Sequence, residues 1–176
     1  DCSELKSKTM LNLDSEDEGY LLVSCAGGAC AICHIPVEYE DIVARDLLMA
    51  KVTVTGLVGG HSGVEINKQR ANADKQLARL LYIVGRDVDF RLISVDGGLK
   101  DNAIPKQATA FVGITAENVD NFTAAVEKIR KVMKHEFEAT DPELEVLIDI
   151  SENADRRVMT DASKDRVISS LMLMPN

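Results

Sequence analysis

The segment Lys51-Val52-Thr53-Val54-Thr55-Gly56-Leu57 alternates polar and apolar side chains, the period of two that a strand with one buried face requires. Beyond "GGHSG" the period changes. Ile66, Ala73, Leu77, Leu80, Leu81 and Val84 fall on one helical face, and Gly85 is placed to stop that helix. "DVDFRLISVDGG" reads as a strand closed by a Gly-Gly turn, and "NAIPKQATAFVGIT" as a further strand with Pro105 near its start. In "AENVDNFTAAVEKIRKVMKHEFEATDPE" the apolar residues Phe122, Val126, Ile129, Met133 and Phe137 share a helical face, with Pro142 beyond the end. "LEVLIDIS" alternates again as a strand, and "SKDRVISSLMLM" predicts a last helix.

From Lys51 to Ser151 the order is therefore β-α-β-β-α-β. That order predicts an α+β, ferredoxin-like unit: two helices on one face of a four-stranded antiparallel sheet, with the other face free for a partner or solvent. Ahead of it, "TMLNLD" and "YLLVSCA" read as short strands around an acidic turn. "ACAICHIPVEYE" predicts a third strand, placed by Pro36 at an edge or bulge.

Composition narrows the function classes. The 176 residues hold enough material for one domain with a core, and the hydrophobic fraction of 45% fits a globular chain. A net charge of −9 argues against non-specific nucleic-acid binding, which needs a basic footprint. No apolar run is long enough to span a bilayer and no signal-peptide pattern opens the chain, so no membrane association and a cytoplasmic location are expected. The chain starts "DCSELKSK" and stops at "LMLMPN", and a piece of a longer protein is expected. The cysteines Cys2, Cys25, Cys30 and Cys33 are a poor framework for stapling a domain, and apolar neighbours such as Ala31 and Ile32 suggest reduced, buried thiols.

Four motifs could carry chemistry. In "GLVGGHSGVEINKQRANA" His61 sits between glycines at a strand-to-helix junction, where it is either a turn residue bonded to nearby backbone or a group projected from that turn. "GGLKDNAIP" holds Asn102, common in turns but also able to bind a carboxylate or an oxyanion. "NLDSEDEG" sets Asp14 just after an apolar strand, where a metal ligand can sit, although acidic turns are usually only solvated. "CAICH" matches the C-x-x-C-H pattern of haem attachment, and Cys25, Cys30, Cys33 and His34 could together supply a zinc site. Small buried residues are the plainer explanation of that stretch.

Taken in order, "NLDSEDEG", "CAGG", "GLVGGHSGVEINKQRANA", "GGLKDNAIP" and the closing "LMLMPN" resemble the aminoacyl-histidine dipeptidases, also called Xaa-His or cytosolic non-specific dipeptidases, of the aminoacylase–carnosinase family of di-zinc metallopeptidases. The resemblance implies a hydrolase of β-alanyl-histidine and other dipeptides with two zinc ions per active site, manganese or cobalt being able to replace them. It implies a lid domain, inserted in a catalytic domain, that mediates homodimer formation. Residues 1–46 would then be a stub of catalytic domain, 47–152 the lid, and 153–176 the connection back. By the same resemblance Asp14 matches a zinc ligand. His61 matches a lid histidine that polarises the scissile carbonyl, commonly in the partner subunit's site. Asn102 matches a substrate contact, and Gly60, Gly63, Gly97 and Gly98 are turn residues that give backbone relief.

The departures are equally specific. The three histidines read His34-Ile-Pro, His61-Ser-Gly and His135-Glu-Phe, so the H-x-D pair of the family is missing, and no two glutamates are adjacent. A two-metal site cannot be built from one carboxylate. The expectation is that this chain alone is inactive, holds no metal tightly, and belongs to a longer enzyme. The rival readings are a non-catalytic ferredoxin-like dimerisation or binding module, a redox or metal protein built on the cysteines, and a relative that kept the lid and lost its metals.

Overall fold

The computed structural model describes residues 6–9, 11, 18–21, 23–24, 27, 29–42, 47–152 and 157–175. The chain divides into two compact units, Asp1–His34 and Ile35–Asn176.

In the first unit the described residues form no helix or strand. "TMLNLD" and "YLLVSCA" lie largely outside the described residues. Residues 29–38 are described and are not the strand their apolar content suggests; among the described residues the first strand is β1, Tyr39–Asp41. An apolar run becomes a strand where a neighbouring strand takes up its N–H and C=O groups. Among the described residues no strand forms a ladder with 29–38. The thiols of Cys30 and Cys33 are exposed rather than buried.

The second unit contains the expected β-α-β-β-α-β order. Its main strands are β2 (Leu47–Thr55), β4 (Arg91–Gly97), β6 (Ala108–Thr115) and β7 (Glu145–Ser151), with helices α1 (Ala73–Val84) and α2 (Val119–Glu136). The sheet order is β4-β6-β2-β7 and every pairing is antiparallel. That is the ferredoxin-like arrangement. Register explains the core: Val52 lies opposite Ala110 on one side and Ile148 on the other, and Val54 opposite Ala108 and Val146. These positions form one sheet face, and the helices cover it with Leu77, Leu80, Leu81 and Val84 of α1 and Phe122, Val126, Ile129 and Met133 of α2. Phe90 meets Phe122 edge to face at 5.8 Å.

The other face is not wholly free. Two further strands flank the domain: β1 pairs antiparallel with β8, Arg157–Met159. Val158 of β8 joins Leu47 and Ile93 in a second, smaller apolar cluster, with Ile42, Met49 and Phe111 packed on it. Ile93 is the extra residue of a bulge, since Leu92 and Ser94 pair with consecutive residues of β6. A last helix, α3 (Asp161–Leu173), is capped by the Thr160 hydroxyl, which accepts from the Ser163 N–H.

Helix α1 begins later than its apolar face suggests. Asn72 accepts from the N–H groups of Asp74 and Lys75 and so sets the N-terminus. Residues 66–68 form only a short 3-10 turn, ended by Gln69 at φ 53°. The segment between Gly56 and Asn72 is therefore a loop, and it carries His61.

Candidate functional site

The loop between β2 and α1 and the link between β4 and β6 meet in a short two-stranded ladder. Strand β3 (Gly60–His61) pairs antiparallel with β5 (Ala103–Ile104), so that His61 faces Ala103 and Gly60 faces Ile104. The Ser62 N–H donates to the Asn102 carbonyl at 3.0 Å. Two motifs about forty residues apart in the chain thus place His61 and Asn102 side by side, both exposed. They line a common cleft of about 860 Å³, with Arg70, Lys100 and Lys106 on its walls and Glu65 and Asp96 as the acidic members. A smaller cleft of about 510 Å³ adjoins it and includes Asp74, Asn72 and Leu99.

The ring of His61 is oriented by its own loop. Its Nδ1 accepts from the Gly63 N–H at 3.0 Å and from the Val64 N–H at 3.3 Å. An Nδ1 that accepts leaves the neutral ring's proton on Nε2, which becomes the donor available to a ligand. The glycines make this possible. A Cβ on Gly63 would press on the imidazole at 3.2 Å. Gly60 has φ +143°, and a Cβ there would meet Glu65 Oε2 at 2.6 Å and Arg70 at 2.7 Å.

Glu65 holds the loop together. It accepts from the His61 N–H at 2.9 Å and from Lys68 Nζ at 2.7 Å, and it pairs with Arg70, whose guanidinium also donates to the Gly59 carbonyl. The Lys68 ammonium and then the His61 N–H favour its charged form, lowering its pKa to about 2. The sign follows: a carboxylate depressed below its ordinary value contributes stability above pH 4.5 and loses it as pH falls towards 2. A carbon-detected titration of the Glu65 carboxyl should place its midpoint near 2. A midpoint at the ordinary carboxylate value would mean that these bonds do not persist in solution.

Gly97 and Gly98 form the turn that leads to Asn102. A Cβ on Gly97 would lie 2.0 Å from Asp74 Oδ1, and Gly98 has φ +65°. Asp74 has one buried oxygen without a hydrogen-bond partner, and burial followed by the nearby charge of Asp96 pushes its pKa up.

Asp14 lies outside the described residues, as do Cys2 and Cys25. Among the described residues no three His, Cys, Asp or Glu side chains converge as metal ligands, so they do not by themselves fit a di-zinc centre. The described residues also include no helix long and apolar enough to cross a membrane.

Glu65, Arg70 and Asp141 are the contributors that motif reading passes over. Glu65 and Arg70 carry a weak signal, being polar and within a turn or two of His61. Asp141 carries none. It stands in a "TDPE" turn, yet its carboxylate accepts from backbone N–H groups 83 and 70 residues away, at Val58 and Ala71.

The chain as a whole is similar to known proteins. A sequence model described as a peptidase dimerisation domain matches residues 52–141. The chain is 34% identical over 172 residues to the cytosol non-specific dipeptidase of Escherichia coli (strain K12), covering 98% of this chain and 35% of that protein. The crystal structure of aminoacylhistidine dipeptidase from Vibrio alginolyticus superposes with a TM-score of 0.72 at 30% identity, over 78% of this chain and 29% of that one. The chain thus spans about a third of the length of the relatives it matches.

Proposed function

Because the chain belongs to the peptidase dimerisation domain family, we propose that it is the lid of a longer, metal-dependent dipeptidase that cleaves Xaa-His and other dipeptides in the cytosol. Residues 47–152 are the lid proper, 1–46 belong to the catalytic domain, and 153–176 lead back towards it. The lid also joins two subunits in a homodimer, as the family's description suggests.

The observation that carries this reading is that the β3–β5 ladder pairs His61 with Ala103, the neighbour of Asn102, with Nδ1 of His61 engaged and Nε2 left as donor. When hydroxide attacks a peptide carbonyl, negative charge builds on the carbonyl oxygen. A preorganised N–H aimed at that oxygen lowers the barrier by about 3–4 kcal/mol. His61 supplies it, in a site commonly completed by the partner subunit. The Asn102 amide holds the substrate backbone beside it. Arg70, Lys100 and Lys106 give the cleft a positive wall suited to a dipeptide carboxylate. The general base and most metal ligands lie outside these residues. Asp14 would be one ligand of the metals.

The test is hydrolysis of β-alanyl-histidine by the intact protein loaded with zinc or manganese, beside the 176-residue chain alone. Activity in the first and none in the second is the expected result. Inactivity of the intact protein on every dipeptide tried would instead favour a lid that only dimerises.

A further inference from the structure

We propose that Asp141 is a positioning residue for His61, clamping both stems of the loop that carries it; the inference rests on the catalytic reading of His61 given above. No side chain from residue 60 to residue 70 is buried, so no apolar anchor fixes the part of the loop between its stems. Its placement rests on polar bonds. Within the loop Glu65 supplies them, and β5 supports one side.

At the stems, beside the buried Leu57 and Ala71, one side chain bridges the two sides. Asp141 is 1% exposed, and its two oxygens divide between the two stems. Oδ1 accepts from the Val58 N–H at 2.9 Å on the way into the loop, and Oδ2 accepts from the Ala71 N–H at 2.8 Å on the way out. The carboxylate is itself presented from a fixed turn. The Asp141 N–H donates to the Phe137 carbonyl at 2.8 Å, and its own carbonyl accepts from Leu144 at 2.9 Å. Phe137 ends α2 and Leu144, fully buried, begins the approach to β7. Beyond the packing of Leu57 and Ala71, one carboxylate thus ties both stems of the His61 loop to the turn between α2 and β7. Hydrogen bonds to an ionised acceptor are the stronger kind, and a misplacement of about 1 Å can cost about a hundredfold in rate.

The test is a double-mutant cycle in the intact, metal-loaded protein with β-alanyl-histidine as substrate. Asp141→Asn keeps the side-chain volume but turns an amide NH2 towards one of the two N–H donors. Expected are faster amide hydrogen exchange confined to 58–71 and a fall in kcat of about tenfold or more with KM little changed. In a His61→Ala background the same substitution should lower kcat by less than about twofold, because the group it positions is gone. An unfolded fraction would lower both backgrounds equally, so partial unfolding cannot imitate this result. Equal losses in the two backgrounds would overturn the proposal, as would unchanged exchange in 58–71. If the wild type cleaves no dipeptide, the catalytic reading falls by itself. Exchange then decides: faster exchange confined to 58–71 keeps Asp141 as the clamp, and exchange that is unchanged or spread over the sheet removes it.

Discussion

On the proposed reading, replacing His61 by alanine in the intact protein is expected to lower kcat on β-alanyl-histidine by about a hundredfold or more while leaving the melting temperature where it was. The two halves of that expectation have separate causes. Turnover falls because Nε2 is the donor that the loop's geometry leaves facing outward, with Nδ1 already committed to Gly63 and Val64. A donor matched to developing charge acts on the transition state, so kcat moves more than KM. Stability stays because the imidazole is exposed, and water can take over the two N–H groups it releases. Equal turnover by wild type and variant would make His61 an ordinary turn residue and remove the lid from the chemistry. A variant that melts early would show that the ring holds the loop rather than serving it.

Alanine at Gly56 should have the opposite profile, a large loss of stability wherever activity stands. Gly56 follows β2 directly and has φ +77°. A Cβ built there lies 1.9 Å from the Glu143 carbonyl oxygen and 2.7 Å from its carbon. Both obstacles are backbone, so no rotamer change relieves them. Glu143 immediately precedes Leu144, which is fully buried, and Thr55 is paired with Glu145 in the ladder. Making room means pushing the start of β7 away from β2. The left-handed backbone costs an L residue roughly 1–2 kcal/mol, and displacing a packed neighbour typically adds about 1–3 kcal/mol. In a chain of this size the sum corresponds to a fall in Tm of about 10 °C, readable by calorimetry or circular dichroism. A melt within about 2 °C of wild type would show that the Gly56–Glu143 approach is looser than described.

Where a side chain's environment repeats along the chain, the sequence announced it. Val52 and Val54 alternate with polar residues because one sheet face is covered, and the apolar faces of α1 and α2 repeat because each lies on that sheet. Periodicity could not show where α1 starts. Ile66 keeps the helical spacing, but Asn72 holds the cap, and a cap is one residue's hydrogen bonds rather than a pattern. Nor could it exclude a strand from "ACAICHIPVEYE", since a strand depends on a partner that a local window cannot see. His61 and Asn102 were visible as motifs, while the ladder that joins them is a two-residue pairing across the chain and left no periodic trace. Asp141 was hidden for the same reason in a stronger form. Its partners are two N–H groups, which every residue but proline possesses, so nothing in the residue types marks them.

The pairing of β1 with β8 bears on how such a unit can be carried inside a larger chain. Tyr39 lies opposite Met159 and Asp41 opposite Arg157, so the inbound and outbound strands run side by side. Hydrogen-bonded strands are about 5 Å apart. For a protein that carries this unit as an insertion, the gap to be bridged is that of a hairpin, however many residues lie between. Loop-closure entropy rises only with the logarithm of loop length, and here the insert closes its own loop by folding. A host domain could therefore carry an insert of this kind with little more disturbance to its own folding than a tight turn would bring.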